Sequence, residues 1–492
     1  MLALNADVNP DRCRIVGLVG TVALTAGGLT AGALPFRDMP PATSGRGALG
    51  LLCAYFGLVL LVAAWWWLGR AVRSPRPPAP RELLTTLAVW ATPLLLGPPL
   101  FSRDVYSYLA QGAMVDARID VYTHGPALLG GPLAAEVAPV WLHTPAPYGP
   151  VFLAVSAGAA DLLPAPLAPT DVSAAVLGMR LVALLGVGLM ALCLPPLADR
   201  CGVPRTAALW LGALNPLVLL HLVAGAHNDA LMLGLLGAGL VVALGPVPRA
   251  APPWAVGARP LCAALLVTLA ALVKAPAALG LLAVAALWSA QLTGRLRVVR
   301  AAALTCAAAL ATTVLVTAVT GTGYGWLATL ATPVSPDNWS LTSALGRLSG
   351  ALLDAAGTGL GELAVPAWRW CGLAATAVAV AALWLRRARP GPVYALALSL
   401  LAVFALGPAF RPWYALWGLF LIAAAAPDGR IRRWTAAGSG VLALALLPSG
   451  SPPDALQVTL AVGGGALGLL ALWWMFEMSD PATLPARART AS

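Results

Sequence analysis

Apolar residues run in long blocks along this chain, broken by Arg clusters or by Pro and Gly rather than by alternating polar positions. The hydrocarbon core of a bilayer is about 30 Å thick, so a helix needs roughly 20 predominantly apolar residues to cross it. Blocks of this kind predict spanning helices near 15–34, 48–68, 83–101, 174–198, 206–223, 229–245 and 260–275. The series continues near 277–290, 300–320, 364–385, 391–409, 412–426, 434–448 and 455–476, which makes about 14. The short runs within 206–245, 260–290 and 412–448 read as broken or tilted helices. A further run, PVFLAVSAGAADLLP at 150–164, is too short for a comfortable span and carries Asp161. It reads as an interfacial or re-entrant helix on the outer face.

The positions of the arginines orient this pattern, because cytoplasmic loops collect Lys and Arg. With the N-terminus inside, 21 Arg fall on inner segments and six on outer ones, namely Arg37, Arg46, Arg103, Arg118, Arg347 and Arg411. Arg180, Lys274 and Arg369 fall within spans. Both termini are then cytoplasmic, and residues 477–492 form a short inner tail of a single membrane domain, 1–492. Twelve of the 19 acidic residues fall on the outer side, so the net charge of +11 is an orientation signal and not a nucleic-acid footprint.

Composition agrees with the spans. Sixty per cent of the residues are hydrophobic and 10% charged, with a mean hydropathy of +0.83. That excludes a soluble multidomain enzyme. Of 30 basic residues only Lys274 is a lysine, and no phosphate-binding loop, H-E-x-x-H or C-x-x-C motif is present. Nucleotide hydrolysis is therefore not expected. The seven Cys lie in or beside apolar runs and imply no disulfide framework.

Two outer segments are long, 102–173 and 321–363, and long loops in compact proteins usually carry function. Asp104 comes closely after the third span, with Tyr106, Tyr108 and Gln111 beyond it. A carboxylate held at a helix end beside the membrane can serve as a general base on a hydroxyl. It can equally cap the next helix. Asp116 and Asp120 are weaker candidates. The stretch HTPAPYGPVF is a Pro-stiffened turn in which Tyr148 orders the loop.

The strings SRDVYSYLAQG, DVYTHGP, TPAPYGPVFL, LNPLVLLHLVAGAHNDALMLGLL, VKAPAALGLL and RPWYALWGL resemble one family over roughly residues 80–430. It is the polyprenyl-phosphomannose-dependent alpha-1,6-mannosyltransferases of actinobacteria (MptA/MptB type), which build lipomannan and belong to the GT-C class. The resemblance implies an all-α, polytopic GT-C fold with a long outer loop carrying interfacial helices. It also implies a mannose donor on a polyprenyl monophosphate, a mannoside or phosphatidylinositol mannoside acceptor in the bilayer, and an acidic base at Asp104. Many GT-C enzymes carry two neighbouring acids here. In this chain Arg103 precedes Asp104, so the pattern departs at that position. Neither a metal nor a cofactor is expected.

A monophosphate leaving group calls for positive charge, and Lys274 and Arg411 are the candidates. Lys274 sits at a helix broken by Pro276, where freed backbone lines protein-facing cavities, although a lysine there can also snorkel to headgroups. Arg411 opens RPWY and can instead anchor at the interface beside Trp413 and Tyr414. His221, His227, Asn228 and Asp229 gather at one outer turn and could hold sugar hydroxyls. Their alternatives are a core histidine and helix caps. Tyr122 from DVYTHGP joins the substrate candidates, as do Asn338 and Trp339, the latter by stacking on a sugar or by anchoring at the interface. The expected chemistry is an inverting transfer to an acceptor 6-hydroxyl on the outer face of the plasma membrane. Two alternatives stay open: another lipid-linked sugar, such as arabinofuranose or glucose, and a lipid or sugar flippase. The breaks at Asn215-Pro216 and Lys274-Ala-Pro276 would suit a transporter, but no matching pair of breaks repeats between two halves.

Overall fold

A computed structural model describes residues 9–161, 172–245, 253–329, 338–388 and 391–477. The expected tail beyond 477, Arg249, Arg389 and the stretches 162–171 and 330–337 of the two outer segments lie outside these residues. Among the described residues every regular element is helical. A helix satisfies its own backbone polar groups, as a lipid-embedded segment must.

Six helices are long and apolar enough to cross a membrane: Pro10–Ala31, Gly45–Val72, Ala174–Cys201, Arg297–Thr320, Gly361–Leu385 and Ala455–Met475. The number becomes seven if Val218–Ala224 and Asp229–Leu244, whose axes differ by 108°, form one broken span. Other expected spans fall on shorter helices, among them Pro392–Leu406 and Ala415–Ala425. Helix length alone thus supports fewer crossings than hydropathy does.

The chain forms two compact units, one running through Arg103 and resuming at Ser439, the other Asp104–Gly438. In the first, Asn9 accepts the Asp11 N–H at 2.8 Å and Pro10 opens the helix Pro10–Ala31, while Ser44 accepts the Gly47 N–H and opens Gly45–Val72. These two helices pack backbone to backbone. A Cβ on Gly27 would overlap the Gly50 carbonyl, and one on Gly57 the Gly20 carbonyl. Small residues at seven-residue spacing allow this approach where lipid supplies no hydrophobic drive between helices.

The second unit holds the segment expected outside, from Asp104 onward. Its helices Asp104–Asp116 and Pro150–Ala160 touch closely, because a Cβ on Gly112 would overlap the Ser156 carbonyl. Pro150–Ala160 has 11 residues, about 17 Å at 1.5 Å each, too short to cross a bilayer. Met114, Val121, Tyr122, Ala146 and Leu153 give the segment a small core of its own. Gly149 lies against the backbone of Leu272. This contact brings the base of Pro150–Ala160 to the end of the helix Pro253–Val273, immediately before Lys274.

Candidate functional site

Asp104 begins its helix, and the side chains at 104, 108 and 111 succeed one another along one helical face. The Asp104 carboxylate is 15% exposed. Its Oδ1 accepts the indole N–H of Trp141 at 3.0 Å, and its Oδ2 is 3.7 Å from His227 Nδ1. One turn on, the Tyr108 hydroxyl shares a hydrogen bond with the same Nδ1 at 3.1 Å. Tyr108 packs edge to face on Tyr148 and Phe152, with centroids 5.4 and 4.9 Å away. Burial pushes the Tyr108 hydroxyl well above the usual phenol range, and the neighbouring Tyr148, Asp104 and Asp229 push it the same way. Burial does the same to Tyr148.

His227 comes from a break in the chain that local sequence builds. Pro216 has no N–H, and Asn215 bridges the gap by accepting the Leu217 N–H and donating to the Leu211 carbonyl. Next comes a π-helical turn, Val218–Ala224, a form often found at functional sites. Arg180 from the helix Ser173–Cys201 donates to the Ala224 carbonyl at 3.2 Å. Ala226 then takes a left-handed φ of 53°, unusual for a residue with a Cβ, and the chain re-enters a helix at Asp229. Within this turn the His227 ring stacks on Trp413 at 4.0 Å and lies 6.1 Å from His221. Burial pulls the His227 imidazole down to about 3; Asp229 opposes the shift, while Lys274 and Arg411 reinforce it. The ring is therefore neutral.

Asp229 is fully buried. Both its oxygens accept from Lys274 Nζ, at 3.0 and 2.9 Å, and Oδ1 also accepts the Trp417 indole N–H at 2.5 Å. Lys274 stands between the helix Pro253–Val273 and the 3-10 turn Ala275–Leu279. Its ammonium lies 4.6 Å from the Tyr414 ring centroid and 5.5 Å from that of Trp417, and those two rings stack at 4.2 Å. This lysine, expected from the sequence as a cation for phosphate, already shares its charge with a carboxylate. The guanidinium of half-buried Arg411 is 5.9 Å from the Trp413 ring centroid.

The structure thus brings together Asp104, Tyr108, Tyr148, His221, His227, Asp229, Lys274 and Arg411, all within one unit. Asn228 joins them from the turn, 3% exposed, and neither atom of its amide has a protein partner. It does not cap the helix after it. Gln111 is also buried, and its Oε1 lacks a protein partner. Tyr106 is buried beside it on the same helix. Asp120 accepts the Tyr122 N–H, and the Tyr122 hydroxyl donates to the Tyr148 carbonyl, so this pair braces the loop behind the site. Asn338 accepts the N–H groups of Ser340 and Phe410, which ties the start of the stretch 338–363 to the residue before Arg411. Trp339 is 70% exposed. Among the described residues no three His, Cys, Asp or Glu side chains gather as metal ligands.

Sequence reasoning missed Trp141, Trp417 and the stacking role of Trp413. The spacing of Trp413 and Trp417, four apart in RPWYALW, places both on one helical face and could have pointed to them. Nothing local marks Trp141.

A family model described as alpha-(1->6)-mannopyranosyltransferase, N-terminal domain, matches residues 14–290, and an MptB C-terminal domain model matches residues 342–477. The chain is 36% identical over 456 residues to a probable alpha-(1->6)-mannopyranosyltransferase of Mycolicibacterium smegmatis, covering 84% of this chain and 78% of that protein. It is 34% identical to alpha-(1->6)-mannopyranosyltransferase A of Mycobacterium tuberculosis, over 87% of this chain and 82% of the relative. With alpha-(1->6)-mannopyranosyltransferase B of Corynebacterium glutamicum the identity is 30%, over 94% and 81%. No solved structure matches the chain.

Proposed function

The chain belongs to the alpha-(1->6)-mannopyranosyltransferase family, and from that membership we propose that it transfers mannose from polyprenyl-phosphate mannose to the 6-hydroxyl of an acceptor mannoside. The acceptor is a growing lipomannan or a phosphatidylinositol mannoside. The reaction takes place on the outer face of the plasma membrane, within a GT-C fold of about 14 spans whose termini are cytoplasmic. Lipid delivery fits that side, where nucleotide sugars are absent.

Asp104 removes the proton of the acceptor hydroxyl, and that oxygen forms its bond to the anomeric carbon of the donor. The bond from that carbon to the phosphate oxygen breaks, and the phosphate leaves with the electron pair. A single displacement on a β-linked donor gives an α linkage by inversion. Arg411 supplies net positive charge to the departing phosphate, and Lys274 adds a second cation whose charge Asp229 partly offsets. The amide of Asn228 and the edges of His227 and Gln111 supply hydrogen bonds to sugar hydroxyls. Asp120, Tyr122, Tyr148, Asn338 and Trp339 act on substrate from the loop side, most of them through the backbone they hold.

The observation that carries this reading is the meeting of Asp104 with the His227 turn and the Lys274 and Arg411 cations in one largely buried cluster. The test is Asp104→Asn, which keeps the size and much of the hydrogen bonding but removes the base. Transfer of labelled mannose from polyprenyl phosphate onto a mannoside, measured in membranes at matched protein level, should be nearly abolished. Capping alone would cost on the order of 1 kcal/mol of stability and leave turnover intact.

A further inference from the structure

Trp141 lies in the four-residue helix Pro139–Leu142 of the first outer segment, half-buried beside Val140, which is 46% exposed. Its indole N–H reaches back across 37 residues to Asp104 Oδ1. An indole has one donor and no acceptor, so this contact runs in one direction only. It bears directly on how the carboxylate is turned. The terminal torsion of an aspartate is broad and roughly two-fold, so the side chain itself does not choose which oxygen faces which way. His227 Nδ1, at 3.7 Å from Oδ2, is beyond hydrogen-bond distance and is engaged by Tyr108.

We infer that Trp141 is a positioning residue, whose N–H on Oδ1 helps to hold the Asp104 carboxylate in the rotation that presents it to the acceptor hydroxyl. This rests on the reading of Asp104 as the base. In the step itself Trp141 keeps its proton. The acceptor O–H proton passes to the Asp104 carboxylate, the new carbon–oxygen bond forms, and the carbon–phosphate-oxygen bond breaks with its electrons going to the phosphate. A base misplaced by about 1 Å costs on the order of 100-fold in rate, so the indole acts on turnover without touching either substrate.

The experiment is Trp141→Phe, which keeps an aromatic ring in a half-buried loop position and removes the donor together with the pyrrole part of the ring. Donor and acceptor dependence are measured on purified protein with the wild-type thermal transition. The expected result is a fall in kcat of about 10- to 100-fold with both KM values within about twofold. Wild-type kcat would overturn the inference. So would a raised KM at constant kcat, which would make Trp141 a substrate contact. Asp104→Asn run alongside separates the two readings. If it still turns over, the base assignment fails. If it is dead while Trp141→Phe behaves as wild type, only the positioning role fails.

Discussion

Replacing Lys274 with Met should leave the Asp229 carboxylate fully buried with the Trp417 N–H as its remaining strong donor. At 2.9 Å and an effective dielectric constant near 20, the lost attraction is about 6 kcal/mol. The cost of taking both ions out of water offsets much of that in the intact pair, so the pair as a whole contributes little over an apolar substitute. Removing one partner is different, because the other charge stays buried. Such deletions typically cost about 3–5 kcal/mol, and the surviving indole bond puts Lys274→Met near about 3 kcal/mol. Asp229→Asn should cost a similar amount by stranding the ammonium against the stacked Tyr414 and Trp417 rings. The double variant Lys274→Met/Asp229→Asn should recover at least about 2 kcal/mol of the summed loss. The assay is thermal unfolding of the four purified proteins in one detergent. Additivity within about 0.5 kcal/mol would show that the two charges do not hold each other, and would refute the reasoning. Donor dependence, read on the same proteins, should stay weakened in the double variant, since stability is restored there without a cation for the phosphate.

Arg411→Gln should raise the donor KM by at least about tenfold and leave acceptor KM near wild type, because a charge-assisted contact to phosphate is removed; equal effects on both substrates would count against the assignment. His227 should make the fold acid-sensitive. Above about 6.5 both folded and unfolded chains hold it neutral, whereas between 6.5 and about 3 only the unfolded chain takes the proton, so stability falls as pH drops. The loss is at most about 1.4 kcal/mol per pH unit, and His227→Gln should flatten it in melts run from pH 7 to 4.5. Ala226→Gly should be tolerated or stabilising by up to about 1 kcal/mol, since glycine accepts the left-handed φ of 53° freely, whereas Ala226→Val should lower the melting temperature.

Hydropathy and arginine placement read this chain as an all-helical membrane protein because those signals are local and additive along the sequence. They do not see where a helix stops inside an apolar run. Asn215-Pro216 marks a break within 206–223, but nothing in the run announces the π turn after it or the 108° bend that follows. The outer carboxylate, the GAHNDA turn and the lone lysine are legible as polar residues in apolar surroundings. Their arrangement is not. Lys274 and Asp229 are 45 residues apart, and only packing of the 253–273 and 229–244 helices brings them together. The Asp120 and Asn338 side chains also accept backbone N–H groups, bonds that composition does not reveal. Trp141 is the furthest from the reach of sequence, since its partner is set by how a 72-residue segment folds back on itself.

The surroundings of Lys274 bear on the coding history of the chain. Every other basic position, 29 in all, is arginine, the residue that GC-rich codons favour. At 274 the same codon pressure meets a site closed by a carboxylate on one side and two stacked indole and phenol rings on the other, with 9% of the residue exposed. A guanidinium is larger and planar, and it would have to displace a ring or turn the carboxylate away from the His227 turn. A single lysine in a chain otherwise basic through arginine is thus a mark left by tertiary structure on composition. Searching similar proteomes for solitary lysines inside apolar runs would find other buried ion pairs of this kind without any structure at all.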